Sequence, residues 1–255
     1  MGQKTNPVGI RLGINRTWES SWFAEKADYG QNAVDDLRIR HFIQNRIWRT
    51  KAKSGRNEEE RNKFKELERN YSKLELSDIR IKRFPNRVSV LVNASKPGLL
   101  IGKQGKDIDD LRKALSTFLG GKTELSLNVS EIKKTDLDAR SVAQVIGRAI
   151  ESRMPYKRAM KQAIQRSMRS GALGIKVQVS GRLGGNDIAR REYFKEGSIP
   201  LHTFGALIDH GKYDAITTYG VIGVQVWVHT AESDEKGGVL ENSPALVGKR
   251  PERRD

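Results

Sequence analysis

The sequence contains no cysteine, which excludes disulfide bonds and cysteine-ligated metal sites. It also has no run of the roughly 20 apolar residues that a membrane-spanning helix needs. The first six residues, Met1 to Asn6, lack the apolar stretch of a signal peptide, and Asn6 stands where a myristoylation signal has Ser or Thr. These absences predict a protein of a reducing, cytoplasmic compartment with no membrane anchor.

Signatures of catalysis are equally scarce. Residues 121–123 (GKT) are similar to the end of a phosphate-binding P-loop, but Ser116 stands where the first glycine belongs, and a helix is predicted before them where the motif needs a strand. No GxSxG, HExxH or GxGxxG motif occurs. The four histidines have no metal-ligand spacing: His41, His202, His210 and His229. The sequence therefore predicts no enzyme, no cofactor and no metal site.

Positive charge is what the sequence has in excess. There are 47 Lys and Arg residues against 31 Asp and Glu, a formal net charge of +16. Such self-repulsion is relieved by a polyanionic partner. Because no segment is suited to crossing a membrane, nucleic acid is favoured over an anionic membrane.

The N-terminal part of the chain falls into three segments before the first strand. Residues 1–29 are polar and punctuated by Gly and Pro, so we expect an extended N-terminal arm. An amphipathic helix is predicted from Asp35 to Trp48. A charged insertion follows at about 50–72. A solvated helix is the favoured interpretation of this insertion, and contact with RNA or a neighbouring protein is the alternative.

Apolar alternation then predicts a strand hairpin over 79–84 and 88–92, turning at Pro85-Asn86. The apolar residues 99–101 precede a GxxG loop at residues 102–105, and helical spacing follows it as far as Phe118. A third strand is predicted over 125–129. The predicted order is helix, strand, strand, helix–GxxG–helix, strand.

A second block begins near residue 133. Helices are predicted over 139–151 and 156–169, and strands over 175–179 and 224–228, with a Gly-containing stretch over 180–220 between the two strands. The fold class is therefore α+β, with one domain over 30–133 and another over 134–230. We expect residues 231–255 to form a disordered tail.

The GxxG loop is the first candidate for RNA contact. Glycines at both ends let the backbone approach a phosphate, and amides at a helix start point towards the anion. In KH domains such a loop clamps the nucleic-acid backbone. A plain helix-turn-helix bend is the alternative, because Gly-x-x-Gly turns are common. The apolar run, the amphipathic helix and the flanking strands favour RNA contact.

The helix over 156–169 is the second candidate. From Arg153 to Arg169 there are six basic residues and no acidic one. A helical wheel places five of them within about 180°, opposite Met160, Ile164 and Met168. An ordinary solvated helix mixes in acidic partners. The one-sign face therefore indicates a track for phosphates.

Two further features are less informative. Arg182, Arg190 and Arg191 lie around a Gly-containing loop that serves equally well as an RNA contact or as a simple β-turn. Trp227 falls on the face opposite the neighbouring valines of its strand, where capping of a hydrophobic edge is favoured over stacking on a base.

Five segments in one order resemble the family of bacterial small-subunit ribosomal protein number three. They are residues 1–13 (MGQKTNPVGIRLG), 97–106 (PGLLIGKQGK), 156–163 (YKRAMKQA), 174–185 (GIKVQVSGRLGG) and 219–228 (YGVIGVQVWV). The resemblance spans nearly the whole chain. One departure is the insertion at about 50–72, which is longer and more charged than the family pattern leads us to expect.

The resemblance implies a type II KH domain followed by a C-terminal α+β domain, in the head of the small ribosomal subunit. It implies a ribosome-bound protein of the cytoplasm whose N-terminal arm threads into ribosomal RNA. Its partners would be ribosomal RNA of the small subunit, messenger RNA and neighbouring proteins of the head. Together with the loop arguments, the resemblance predicts these ribosomal RNA contacts: Gly2, Gln3, Lys4, Arg11, Gly102, Lys103, Gln104, Gly105, Lys106, Arg182 and Arg190.

The resemblance also implies that this protein lines the channel through which messenger RNA enters and assists its unwinding. By position, Lys157, Arg158 and Lys161 match the basic trio of the family, and Arg153 lies just before them. Lys157 stands where many relatives have Arg, which keeps the charge but loses a planar bidentate donor.

Two other functions remain as alternatives. A free-standing KH regulator of messenger or antitermination complexes explains the loop but gives no use to the arm and the basic helix. An RNA-processing enzyme lacks a nucleophile or metal site. Sedimentation with small subunits separates the ribosomal hypothesis from both.

Overall fold

A computed structural model describes residues 4–45, 75–119 and 124–231. Gly2, Gln3, the predicted insertion at about 50–72 and all but the first residue of the predicted tail lie outside these described residues. Within them the chain forms two α+β units, each built on a four-stranded sheet. The predicted α+β class is confirmed.

The first unit carries the hairpin and the GxxG loop in the predicted order. Its elements are α1 (Pro7–Ile10), β1 (Ser20–Ser21), α2 (Lys26–Asn45), β2 (Leu76–Arg83), β3 (Arg87–Ala94), α3 (Gly98–Ile101), α4 (Lys106–Phe118) and β4 (Glu124–Glu131). The sheet order is β1-β2-β3-β4. Strands β2 and β3 are antiparallel, whereas β1 runs parallel to β2 and β4 runs parallel to β3. The parallel pairing of β3 with β4 needs a crossover, which α3 and α4 supply.

The core of this unit lies between the sheet and its helices. Alternate residues of the strands point inward, as a period of two requires. Helix α4 contributes Leu111 and Leu115, and α2 contributes Ile39 and Ile43, all buried. The predicted helix near Asp35 therefore exists, but it begins nine residues earlier, at Lys26.

The second unit contains two helices and four strands. These are α5 (Ala139–Glu151), α6 (Tyr156–Arg169), β5 (Gly174–Gly181), β6 (Arg190–Gly197), β7 (Leu207–Thr217) and β8 (Gly220–Thr230). The sheet order is β6-β5-β8-β7, antiparallel throughout. Both helices pack on one face, where Met160 and Ile164 of α6 join a core that includes Ile175 and Val226.

The sequence predicts no strand within the stretch over 180–220, but the structure has two there, β6 and β7. Strand β6 is an edge strand with mostly exposed side chains, so its apolar alternation is weak. In β7 a glycine interrupts the pattern at Gly211, where an added Cβ would collide with the carbonyl oxygen of Ala139 at the start of α5. This close contact between strand and helix leaves room only for glycine.

The N-terminal segment, which the sequence predicts as an extended arm, packs on both units of the protein. Its helix α1 contacts β7, and β1 adds to the edge of the first sheet. Arg16 forms an ion pair with Asp209 at 3.0 Å, while Glu19 contacts Arg40 at 2.8 Å and Arg140 at 2.6 Å. The segment therefore joins the first unit to the second.

Polar contacts also join the two units directly. The Ser77 hydroxyl donates to Asp138 Oδ1 at 2.8 Å, and the Gln144 side-chain amide donates to the carbonyl oxygen of Leu76 at 2.6 Å. Arg140 donates to the carbonyl oxygen of Ser77 at 3.1 Å. These bonds satisfy polar groups at the junction between the two units.

Candidate nucleic-acid interface

The GxxG loop connects α3 to α4 through one tight turn. Gly102 has φ +74° and Gly105 has φ +77°, both in the left-handed region that favours glycine. A Cβ at Gly102 would also collide with the Asp107 carboxylate. The two glycines are thus required by the backbone itself, which leaves the loop free of side-chain bulk at its ends.

The rest of the loop faces solvent. Gln104, at φ 57°, is exposed, and so is Lys106 at the first position of α4. Gly105 caps this helix without a side-chain hydrogen bond. The first amides of α4 therefore have no side-chain acceptor at the cap position, but Asp107 and Asp109 in the first turn already place negative charge at this helix start. The side chain of Lys103 lies outside the described residues.

Helix α6 presents a basic face, as predicted. Ala159, Met160, Ala163 and Ile164 are buried against the sheet, which confirms the predicted inward side. The basic side chains are all exposed: Lys157, Arg158, Lys161, Arg166 and Arg169. The first turn of α6 has no acidic residue, although the partial positive charge of a helix N-terminus favours one. Positive charge is therefore concentrated at this end of the helix.

Few carboxylates offset this charge. Among the described residues, only Glu192 pairs with a basic residue of α6, through Lys157 at a long 3.9 Å. Glu192 also accepts a hydrogen bond from the Tyr156 hydroxyl at 3.0 Å. The Lys161 ammonium lies 5.8 Å from the centre of the Phe194 ring. Arg153 precedes the helix in an exposed turn with φ +64°.

The structure contradicts the predicted RNA contact of Arg11. Its side chain is 0% exposed. The guanidinium donates to the carbonyl oxygens of Ala206 at 2.7 Å, Thr203 at 2.8 Å and Pro7 at 3.0 Å, with longer bonds to Pro200 and Leu201. These donors hold the N-terminal segment on the second unit, so they are not available to a phosphate.

Arg182 is similarly engaged within the protein. It donates to the carbonyl oxygens of Asn186 at 3.0 Å and Tyr219 at 3.3 Å, and it pairs with Asp187 at 2.8 Å. The geometry favours the β-turn alternative for this residue, because all three nitrogens already have acceptors. Arg190, in contrast, is exposed at the start of β6.

Sequence reasoning missed a third basic region, on the sheet face of the second unit that the helices leave uncovered. Lys4 and Lys176 both lie near the ring of Trp227, at 5.6 Å and 5.3 Å from its centre. Trp227 is itself buried, and its ring contacts that of His210 at 5.2 Å. The alternation of apolar and polar residues along β5 and β8 indicated this face. It did not indicate which side chains lie next to each other across the strands.

The described part of the chain contains no cluster of three or more His, Cys, Asp or Glu residues placed to hold a metal ion. Its helices, over the same residues, are too short or too polar to cross a bilayer. What the described surface offers is cations, backbone amides at a helix start and exposed aromatic rings, which are the groups that RNA-binding surfaces use.

Comparison with known proteins gives the family. A profile described as KH domain matches residues 63–137, and a profile described as ribosomal protein S3, C-terminal domain, matches residues 146–228. The small ribosomal subunit protein uS3 of Halalkalibacterium halodurans is 46% identical over 91% of this chain and 94% of its own length. The proteins of the same name from Shouchella clausii and Cereibacter sphaeroides are 45% and 44% identical, over 91% and 98% of this chain and 94% and 92% of their own lengths. The resemblance seen in the sequence is confirmed: the chain belongs to the uS3 family of small ribosomal subunit proteins.

Proposed function

We propose that this chain is a structural RNA-binding protein of the small ribosomal subunit, not an enzyme, and that helix α6 lines the channel by which messenger RNA enters and assists its unwinding. It would work bound to the ribosome in the cytoplasm, next to other proteins of the subunit head. The observation that carries the channel and unwinding role is the one-sided basic face of α6, on which Lys157, Arg158 and Lys161 are exposed.

The charge pattern of α6 supports this assignment. Lys157 and Arg158 occupy the first turn, where a helix on its own is stabilised by acidic residues. Lys161 lies one turn further along the same face, about 6 Å along the axis. An arrangement that is unfavourable within the protein becomes favourable when a phosphate backbone lies along it.

The rigid support of α6 matters for unwinding. The helix is held by Met160 and Ile164 in the core and by the Tyr156 hydroxyl on Glu192. Cations on a rigid scaffold keep their positions as a strand moves past, whereas a flexible tail follows the strand. Contacts of this kind confer affinity and salt dependence without base preference, as a channel for any messenger requires.

Contacts with ribosomal RNA are proposed at the GxxG loop and at exposed cations outside it. The proposed contacts are Lys4, Gly102, Lys103, Gln104, Gly105, Lys106 and Arg190, together with Gly2 and Gln3 beyond the described residues. Arg11 and Arg182 are removed from the set because protein groups occupy their nitrogens.

Translation of structured messengers tests the role of α6. Changing Lys157, Arg158 and Lys161 together to Ala should leave the protein on the small subunit but slow ribosomes at messenger hairpins. The charge-matched control changes Lys82, Arg112 and Lys113 together to Ala; these three residues are exposed in the first unit. An equal slowing on unstructured messenger, or by the control, would contradict the unwinding role. A native chain that sediments free of small subunits at physiological magnesium would contradict the ribosomal assignment itself.

A further inference from the structure

The sheet face of the second unit that α5 and α6 leave uncovered carries basic residues in cross-strand rows. The register aligns Lys195, Lys176, Trp227 and His210 in one row across β6, β5, β8 and β7. The next row contains Tyr193, Gln178, Gln225 and Lys212. Residues directly opposite each other on one face have neighbouring side chains, so two lysines are adjacent at the β6 end of the first row.

A third lysine joins them from the N-terminal segment. The ammonium of Lys4 lies 5.6 Å from the centre of the Trp227 ring, and that of Lys176 lies 5.3 Å from the same centre. Among the described residues, the register brings only one carboxylate to this face, that of Asp214. It is opposite Gly223, four residues along β8 from Trp227. The lysine cluster therefore has no acidic neighbour on its own rows.

The electrostatics of the cluster favour the binding of an anion. Burial lowers the pKa of Lys176 to about 8, with further lowering by the nearby Lys4 and Lys195. Like charges this close are unfavourable in the free protein, and an anion between them removes the cost. The three lysines recruited to this face thus indicate a negatively charged partner.

An exposed aromatic ring distinguishes RNA from an acidic protein segment. Tyr193 is 62% exposed, and the Lys176 ammonium lies 4.9 Å from the centre of its ring. A tyrosine that flanks a cationic groove is the arrangement on which unpaired bases stack while their phosphates are held by lysines. Acidic side chains would neutralise the lysines but would supply no base to stack on the exposed part of this ring.

We propose that this face is a third RNA-binding surface, on which a phosphate sits between Lys4, Lys176 and Lys195 and an unpaired base stacks on Tyr193. The proposal rests on the proposed function in taking RNA as the partner, and it is separate from the GxxG loop and the α6 face. It also gives a role to Lys4, which here acts with residues some 170 positions away rather than on a free arm.

Binding of the full chain to a transcript of small-subunit ribosomal RNA over a salt series tests the lysines. Changing Lys176 and Lys195 together to Gln should flatten the log–log salt dependence by about 1.4 to 1.8, because two phosphate contacts are lost. Changing both to Arg should restore the native slope. The control Lys82→Gln, on the first unit, should leave the slope at the native value.

The aromatic contact has its own pair of variants. Tyr193→Ala should weaken binding roughly 5- to 150-fold, the range for the loss of one stacked base, whereas Tyr193→Phe keeps the ring and should bind like the native chain. Thermal melts of all variants establish that they are folded. Tyr193 is exposed on an outer strand, so its removal leaves the core intact.

The outcomes separate this inference from the proposed function. If the Gln pair keeps the native slope while Lys103→Asp with Gln104→Asp loses RNA binding, the third surface is wrong and the proposed function stands. If neither change affects binding, the third surface and the proposed RNA contact of the GxxG loop are both wrong. If the Gln pair keeps its slope but releases a neighbouring protein from assembled subunits, the occupant is an acidic protein and the RNA proposal is overturned.

Discussion

Replacing Arg11 by Ala should release the N-terminal segment from the second unit. The buried guanidinium makes three hydrogen bonds of 3.0 Å or less, to the carbonyl oxygens of Pro7, Thr203 and Ala206. Two of these acceptors lie in the connection before β7, about 190 residues away in sequence. Arg11 thus links the N-terminal segment to the connection before β7.

The size of the effect follows from these bonds. A hydrogen bond from a charged donor contributes about 1.5 to 3 kcal/mol net, so three of them set an upper range of about 4.5 to 9 kcal/mol. Water will reach part of the exposed carbonyl oxygens once the segment loosens. We therefore expect Arg11→Ala to lower the free energy of unfolding by about 3 to 5 kcal/mol, as when one side of a buried charged network is removed.

Urea unfolding of the isolated protein, followed by fluorescence and by tryptic cleavage at Arg16, measures this loss. Arg11→Lys should be intermediate, because an ammonium has three donors but cannot span the same acceptors. The exposed Arg158→Ala is the control and should change stability by at most about 0.5 kcal/mol. An Arg11→Ala protein with native stability and weakened RNA binding would refute the reasoning and restore Arg11 as an RNA contact.

The remaining predictions concern a histidine and a glycine. Burial, and then the charge of Lys212, lower the pKa of His210 to about 4 from its ordinary 6.5. A depressed pKa stabilises the fold above pH 6.5, and this stability is lost as pH falls towards 4, so His210→Phe should show a smaller drop in melting temperature over that interval. An equal drop in the variant would exclude His210 as the cause. Gly102→Ala should destabilise the first unit by about 1 to 3 kcal/mol and weaken binding to ribosomal RNA, because it combines φ +74° with a collision against Asp107. Gly98→Ala, where an added Cβ meets nothing within 4 Å, is its control, and native RNA affinity in Gly102→Ala would show that the loop geometry is not needed for binding.

Local patterns in the sequence were sufficient for much of the fold. The hairpin of β2 and β3, the α3–GxxG–α4 connection and helix α6 all carry a clear apolar period, and each exists in the structure. Strands β6 and β7 were missed because an edge strand buries few side chains and because Gly211 interrupts the alternation. Periodicity reports burial, so it fails where a strand is exposed or a glycine is required.

In the candidate interface, too, local features could be predicted from the sequence and long-range contacts could not. The charge of α6 and the glycines of the loop are local properties. In the structure the basic side chains of α6 are exposed, and the two loop glycines have the positive φ that favours glycine. Whether an arginine is free to bind RNA is not local. Arg11 and Arg158 are equally basic in the sequence, yet one is enclosed by carbonyl oxygens from a distant segment and the other faces solvent.

The basic excess of the chain determined by itself that a polyanion is the partner, and the five family segments determined which family the chain belongs to. Only the tertiary structure decided which cations are exposed and which are engaged by groups of the protein. It buried Arg11 and engaged Arg182, it placed Lys195 opposite Lys176 by strand register, and it brought Lys4 and Lys176 to the ring of Trp227. The physical reason is that composition sums charge along the chain, whereas binding depends on which charges the fold leaves adjacent, exposed and without carboxylate neighbours.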